Sequence, residues 1–197
     1  MSIQTIKERL NDYKQSCEAI EGKQYNDFRE LEKEYCDLIN VGSKIRADIL
    51  SDADNYDKNI IDILNNKTTD FSLLPDGFEP LEYVILLKSN LIQKYQDYSK
   101  ILIDEKKYED VIIINNQLHN WTGNYLFIQN IADTYLKGYE NKERALEIYQ
   151  EIEPQMKDNA HYNWGLARVY EAFEDYYTTL KYMQKAIKIE LYGVVNA

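Results

Sequence analysis

Two stretches in the second half of the chain decide the fold: residues 132–152, ADTYLKGYENKERALEIYQEI, and residues 167–186, ARVYEAFEDYYTTLKYMQKA. In each, the end of one amphipathic helix is followed by a short turn and a second helix. The second helices are in phase along the chain, because Val111, Ala145 and Thr179 are separated by 34 residues each time. The same interval separates Leu118, Ile152 and Ala186. A period of this length indicates helix–turn–helix units stacked side by side.

This pattern resembles the tetratricopeptide repeat (TPR), a 34-residue helix–turn–helix unit. The family places small residues at the eighth, twentieth and twenty-seventh positions, where they let paired helices approach closely. It places aromatic residues, which fill the gaps, at the eleventh and twenty-fourth. The corresponding residues here are Ser99, Ala132 and Ala167 at the eighth position; Leu102, Tyr135 and Tyr170 at the eleventh; Val111, Ala145 and Thr179 at the twentieth; Asn115, Tyr149 and Met183 at the twenty-fourth; and Leu118, Ile152 and Ala186 at the twenty-seventh.

The resemblance covers about residues 90–190, half of the chain. The last two repeats fit the family pattern well, and the first is degenerate. No repeat ends in the Pro that the family favours, since Pro154 comes early and Leu191 stands at the corresponding place of the last repeat. The resemblance implies a superhelix of stacked helix pairs. Helical hairpins without the superhelix are the alternative.

Residues 1–66 carry a different pattern, in which apolar residues are spaced three and four apart along two helices. The stripe of the first helix is Ile3, Ile6, Leu10, Tyr13, Cys17 and Ile20, and that of the second is Phe28, Leu31, Tyr35, Leu38, Gly42, Ile45 and Ile49. We expect Gly22 to end the first helix in a left-handed conformation and Asn26 or Asp27 to cap the second. A short turn between them makes the two helices antiparallel.

A third, shorter helix is predicted over residues 54–65, capped by Ser51 or Asp52. Its inward residues are expected to be Tyr56, Ile60, Ile63 and Leu64. The three helices together predict an intramolecular bundle. A hairpin that dimerises through the same apolar stripe is the alternative.

A domain boundary is predicted between the two patterns. The helical spacing breaks after residue 66, and Pro75, Asp76 and Gly77 have the chemistry of a turn. We therefore expect a helical bundle over residues 1–66, a linker over 67–80 and TPR-like repeats over 81–197.

The apolar run of residues 81–91 is ambiguous, because its core at 83–87 is short enough for a buried strand. The sequence contains no evident partner strand, so the run is interpreted as the start of a long helix. The expected fold class is all-α: an N-terminal helical hairpin or three-helix bundle followed by a TPR-like superhelix.

The composition argues against several classes of protein. The chain has 23 Lys and Arg against 34 Asp and Glu, a net charge of -11, and a nucleic-acid-binding protein needs a basic surface instead. No stretch approaches the roughly 18 apolar residues that span a membrane. We expect no signal peptide, and hence a cytoplasmic protein. Cys17 and Cys36 are expected to be buried thiols rather than a disulfide.

Candidates for catalysis or metal binding are few. His119, expected in a turn, and His161, expected to open a helix, have no second ligand at metal-binding spacing. The glycines are scattered singly, and the acidic run at residues 52–57 lacks the Gly and the bidentate Glu of a calcium loop. We therefore expect no enzymatic activity, no metal site and no cofactor.

The TPR resemblance implies a concave groove lined by the first helix of each repeat. The family's groove-facing positions correspond here to Gln93, Gln96, Lys100, Ile103 and Asp104; to Leu126, Gln129, Asp133, Leu136 and Lys137; and to His161, Trp164, Arg168, Glu171 and Ala172. The candidate partner-binding residues among them are Gln96, Lys100, Gln129, Asp133, Lys137, His161, Trp164, Arg168 and Glu171. This mixture of amides, both charges and apolar groups suits a protein or peptide ligand. An ordinary solvated face is the alternative.

Two functions remain open on the sequence. The first is a non-enzymatic protein–protein interaction module that uses the groove or a helical face. The second is an acidic cytoplasmic protein that neutralises a basic partner, such as a bacterial immunity protein against a toxin or a secretion chaperone. Some TPR proteins bind the carboxylate of heat-shock chaperones through a Lys and Asn pattern. Asp133 breaks that pattern here, so a co-chaperone role is not expected.

Overall fold

The computed structural model describes residues 2–25 and 27–195, and over these residues all regular secondary structure is helical, without a strand. Its helices are α1 (Ile3–Glu21), α2 (Phe28–Leu50), α3 (Lys58–Leu64), α4 (Leu81–Asp104), α5 (Tyr108–Thr122), α6 (Leu126–Lys137), α7 (Lys142–Met156), α8 (Ala160–Ala172) and α9 (Tyr176–Val195). Short 3-10 turns occur at Ala53–Asn55 and Phe71–Leu73. The predicted all-α class is confirmed, and the ambiguous run at 81–91 lies within α4.

The chain forms two compact units, Met1–Lys94 and Tyr95–Ala197. The division falls within α4, so residues 81–94 are part of the first unit, although the sequence pattern grouped them with the repeats. The expected division into a bundle over residues 1–66, a linker over 67–80 and repeats over 81–197 stays a prediction.

In the first unit, α1 and α2 pack as an antiparallel hairpin. The predicted apolar stripes are buried, except that Ile3 is exposed and Leu38 half-buried. The helices approach closely at Gly42, where a Cβ would lie 2.6 Å from the hydroxyl oxygen of Tyr13. Asp27 caps α2 by accepting a hydrogen bond from the Arg29 amide at 2.9 Å. The other predicted cap, Asn26, lies outside the described residues.

Two local expectations for the first unit were wrong. Gly22 does end α1, but in the right-handed conformation with φ −83°. The third helix does not span 54–65, because the 3-10 turn comes first and Asp57, rather than Ser51 or Asp52, caps α3 at Lys58. An Asp at that position provides a carboxylate acceptor for the Asn59 amide, which fixes the later start.

The start of α4 completes the first unit. Its Leu81, Leu87 and Leu91 are buried. The Tyr83 hydroxyl donates to Glu18 at 3.2 Å, and the Lys94 ammonium donates to the backbone carbonyl of Glu21 at 2.9 Å. The first unit therefore contains α1, α2, α3 and the start of α4, and the last of these lies beyond the residues 1–66 of the expected bundle.

In the second unit, α5 to α9 pack in sequence, each against the next. The small residues at the repeat positions lie at these contacts: Ala132, Ala145 and Ala186 are 0% exposed and Ala167 is 2% exposed. These burials confirm the predicted register. The stacked helix pairs and their buried small residues give the chain the TPR-like architecture that the sequence pattern predicts.

No helix between residues 2 and 195, leaving aside residue 26, is both long enough and apolar enough to cross a lipid bilayer.

Candidate functional site

Two adjoining cavities open along the first helices of the repeats in the second unit. The larger, about 480 Å³, lies among the end of α4, α5 and α6, and the smaller, about 390 Å³, extends from there to α8. Both are lined by Gln96, Phe127, Asn130 and Asp133. Because these residues are common to both cavities, we call the two together the groove.

The structure brings eight of the nine candidate binding residues to this groove. Those lining the larger cavity are Gln96, Lys100, Asp133 and Lys137, and those lining the smaller are Gln96, Gln129, Asp133, His161, Trp164 and Arg168. Glu171 is exposed and lines neither. Their role in binding a partner stays a prediction.

A chain of amide contacts forms the floor of the larger cavity. Asn115 of α5 is 2% exposed, and its side-chain amide donates to the Val111 carbonyl at 2.9 Å and to the Ser99 hydroxyl at 3.3 Å. Its carbonyl oxygen accepts from the Asn130 amide at 3.1 Å. These bonds join α4, α5 and α6. The floor therefore presents polar groups that are already oriented by the protein.

Asn115 also explains why there is space at this place. It occupies the twenty-fourth repeat position, where the next repeat has Tyr149 and the TPR pattern favours an aromatic residue. The smaller amide leaves unfilled the volume that an aromatic ring occupies one repeat later. The sequence already contains this signal, because the first repeat departs from the TPR pattern at Asn115. The cavity could have been predicted from that departure.

The larger cavity is also lined by apolar and aromatic side chains, those of Ile103, Tyr108, Val111, Leu118 and Phe127. Two lysines, Lys100 and Lys137, also line the larger cavity. Lys100 forms an exposed ion pair with Asp97 at 2.9 Å. The larger cavity therefore combines apolar contact area, amides and positive charge.

Asp133 of α6, which lines the smaller cavity, joins three helices. One of its carboxylate oxygens accepts a hydrogen bond from the Tyr149 hydroxyl at 2.8 Å, and the other forms an ion pair with Arg168 at 2.8 Å. Burial raises the pKa of Tyr149 well above its usual range, and the negative charge of Asp133 adds to this effect. The phenol therefore stays protonated and donates to Asp133, which ties α6, α7 and α8 together.

Gly165 of α8 makes this network possible. A Cβ at residue 165 would lie 1.9 Å from the Tyr149 hydroxyl oxygen, closer than any side chain permits. The sequence alone does not indicate that residue 165 must be glycine, because the requirement comes from the Tyr149 side chain on the preceding helix.

Gln129 connects the same region to the start of α8. Its amide donates to the His161 carbonyl at 3.0 Å, while its own carbonyl oxygen is buried and has no hydrogen-bond partner among the described residues. The same holds for Nε of Arg168. Trp164, half-buried, lines the cavity beside them. The smaller cavity therefore mixes polar and apolar groups from both helices, with Phe127 and Asp133 on α6 and Trp164 and Arg168 on α8.

The remaining candidates for chemistry lie elsewhere. His119 was expected in a turn, but it lies in the last turn of α5, where its ring packs against Tyr125. Cys17 is buried and Cys36 half-buried, and burial raises the pKa of the Cys17 thiol to about 11. Within the described part of the chain, no three His, Cys, Asp or Glu side chains are grouped so as to hold a metal ion.

Comparison with known proteins gives a likeness of architecture alone. No family model matches the chain, and no curated protein matches it. A solved structure titled "MamA MSR-1 C2" is 14% identical with a TM-score of 0.44, covering 95% of this chain and 98% of that chain. Another, "Crystal structure of MamA", is 14% identical with a TM-score of 0.43, covering 87% and 98%.

Proposed function

We propose that the second unit is a protein-interaction module whose groove binds a segment of a partner protein. The observation that carries this proposal is the pair of adjoining cavities along the first helices of the repeats, lined in common by Gln96, Phe127, Asn130 and Asp133. Each cavity falls within the range of about 300–1,000 Å³ that is usual for binding pockets.

The chemistry of the lining supports a peptide as the occupant. A peptide offers a carbonyl acceptor and an amide donor at each residue, and the side chains of Gln96 and Asn130 offer both kinds of group in return. Phe127, Ile103 and Trp164 supply apolar area for its side chains. The mixture matches the composition of protein interfaces, which combine apolar centres with hydrogen-bonding groups.

The charges of the lining favour a neutral or acidic segment. The groove is lined by three basic side chains, those of Lys100, Lys137 and Arg168, and by one acidic side chain, that of Asp133. Asp133 and Arg168 pair with each other, and Lys100 pairs with Asp97, so Lys137 supplies the excess positive charge. The lining is therefore positive although the whole chain carries -11. A basic partner, as expected of a neutralising protein, is not supported at this site, and we propose the interaction module instead.

The proposal is tested by selection from a random peptide library displayed on phage, followed by titration of the enriched peptides in solution. Enriched peptides should bind the wild-type chain and lose about tenfold or more in affinity for Asn130→Ala and for Lys137→Glu. A matched control, Gln155→Ala on the exposed side of α7, should bind as the wild type does. Failure to enrich any peptide, or enriched peptides that bind all variants alike, would contradict the proposal.

A further inference from the structure

The last helix, α9, exposes an apolar stripe. The exposed fractions are 63% for Tyr176, 84% for Tyr177, 58% for Leu180, 45% for Ile187 and 64% for Leu191. Residues 176, 180, 187 and 191 are separated by four, seven and four positions and so share one face of the helix. Apolar side chains grouped in this way on a surface mark a site of interaction.

The repeat itself provides the comparison that shows this stripe to be specific to α9. The residues 34 positions earlier, on α7 and at its end, are Lys142, Glu143, Leu146, Glu153 and Lys157. Four of these five are charged. The apolar character of the stripe is therefore not a requirement of the repeat fold.

In the preceding repeat, part of this face is the side that α8 covers. Lys142 donates to the Ala172 carbonyl at 3.1 Å and lies over the ring of Phe173 at 4.7 Å. Leu146 packs against the core to which α8 contributes Tyr162 and Leu166. Glu153 and Lys157 stay exposed in that repeat. Tyr176 and Leu180, the counterparts of Lys142 and Leu146, thus lie where a further helix would rest, and their high exposure shows that the described residues do not supply one.

The charges beside the stripe indicate the chemistry of such a helix. Through residue 191, α9 carries Lys181, Lys185 and Lys188 against Glu190. Lys181 and Lys188 directly follow Leu180 and Ile187, so this positive charge lies next to the apolar residues. An apolar stripe beside a row of lysines complements a helix that is apolar on one face and acidic at its flank.

We propose that α9 is a docking surface for an acidic amphipathic helix of another protein, separate from the groove. The helix that packs on α7, α8, shows the spacing of apolar residues that such a helix needs. Its apolar residues are four, three and four positions apart, at Tyr162, Leu166, Val169 and Phe173. A second copy of α9 fits this surface less well. If two copies of α9 paired antiparallel, the lysine-bearing side of one helix would face the lysine-bearing side of the other, and the like charges would repel.

The test uses two synthetic helical peptides of about 20 residues, a length at which isolated helices begin to be stable. Both carry Tyr, Leu, Val and Phe at the spacing of α8. One has Glu at the flanking positions, and the other has Lys there. We expect the Glu peptide to bind the full chain at least about tenfold more tightly than the Lys peptide, because only the first complements α9. Added salt should weaken the binding of the Glu peptide.

Variants of α9 make the test specific. The double substitution Leu180→Ser and Leu191→Ser, and separately Lys181→Glu, should each weaken binding of the Glu peptide about tenfold or more. Both act at exposed positions, so circular dichroism and the melting temperature should stay near those of the wild type. The groove variant Asn130→Ala should bind the Glu peptide normally, which keeps this result independent of the proposed function.

Three outcomes would overturn the proposal. Equal binding of the two peptides would remove the charge argument, and binding unaffected by the α9 variants would place the peptide elsewhere. The third is a concentration-dependent dimer, seen by sedimentation equilibrium and abolished by the Leu180→Ser and Leu191→Ser substitutions. That dimer would assign the stripe to a second copy of the chain.

Discussion

The side-chain amide of Asn130 donates to the carbonyl oxygen of Asn115 at 3.1 Å, which joins α6 to the floor of the larger cavity. The buried Asn115 is held in turn by its own helix and by Ser99. The exposed end of this chain of bonds is thus oriented before any ligand arrives. Preorganised polar groups cost less to engage than mobile ones, which is why we place the binding site here.

Filling the larger cavity should abolish binding there. Asn115→Tyr places at the first repeat the residue that the second repeat has at Tyr149. We expect the ring to occupy the cavity and to lower the affinity for a groove-binding peptide about tenfold or more. Isothermal titration calorimetry measures the loss. Undiminished affinity in a folded variant would show that peptides do not enter this cavity.

Trp164 offers a second test of the groove. Because Trp is among the residues that most often dominate binding energy, Trp164→Ala should cost about 2 kcal/mol or more in peptide binding. The melting temperature should stay close to that of the wild type if the ring serves the ligand. If the substitution instead melts the last repeat, the side chain is a packing residue of α8, and its assignment to the groove is wrong.

A side chain at residue 165 should destabilise the protein. In Gly165→Ala the new Cβ would meet the Tyr149 hydroxyl, so either that hydroxyl leaves Asp133 or the two helices separate. We expect a loss of about 1–3 kcal/mol in the free energy of unfolding, measured by chemical denaturation. Gly22→Ala is the matched control, since a Cβ there meets nothing within 4 Å and its φ is ordinary. Equal stability of the two variants would contradict the close contact.

The repeat register predicts a contrast between two alanines. Ala145 is fully buried between helices, so Ala145→Leu should overpack that contact and cost about 1–3 kcal/mol in the free energy of unfolding. Ala172, at the end of α8, is exposed, and Ala172→Leu should be nearly neutral. Thermal unfolding of the two variants measures the contrast. A harmless Ala145→Leu would mean that the register is shifted.

The buried tyrosines predict a loss of stability in alkali. Burial raises the pKa of Tyr149 and raises that of Tyr35 to about 12, whereas tyrosine in an unfolded chain titrates near about 10. Because the pKa is higher in the folded state, each buried phenol makes its full contribution to folding stability below about pH 10, and this contribution is lost as the pH rises further. The free energy of unfolding should therefore fall above about pH 10, and less steeply in Tyr149→Phe. Denaturant titrations across this range measure the slope, and a constant value would refute the burial of these phenols.

The sequence predicted the elements of the fold that depend on spacing along one helix. The heptad stripes identified α1 and α2, and the 34-residue period identified the contacts of Ala132 and Ala145, because both patterns follow from helix geometry. The start of α3 was predicted less well, because the sequence offers more than one residue that can cap a helix there. Asp52 and Asp57 are both good caps, and only packing decides that α3 begins at the second.

The groove could be predicted only in part. The TPR resemblance correctly assigned eight residues to the groove, because the first helix of each repeat lines the groove as the resemblance implies. The amide chain through Asn115 and the contact of Tyr149 with Gly165 could not be predicted, because they depend on which side chains of different helices meet. Glu171 was assigned to the groove only from its repeat position. It lies about one helical turn beyond Arg168 and lines neither cavity.

The most direct measurement of the central claim is the fluorescence of Trp164 during titration with a peptide selected on the wild-type chain. Trp121 packs against Tyr95 and does not line the groove, so Trp121→Phe leaves Trp164 as the single tryptophan. We predict that the peptide binds this variant with one-to-one stoichiometry and shifts the emission of Trp164 to shorter wavelength, because the ligand removes water from the indole. Binding that is retained by calorimetry while the emission of Trp164 stays unchanged would contradict the placement of the partner in the groove.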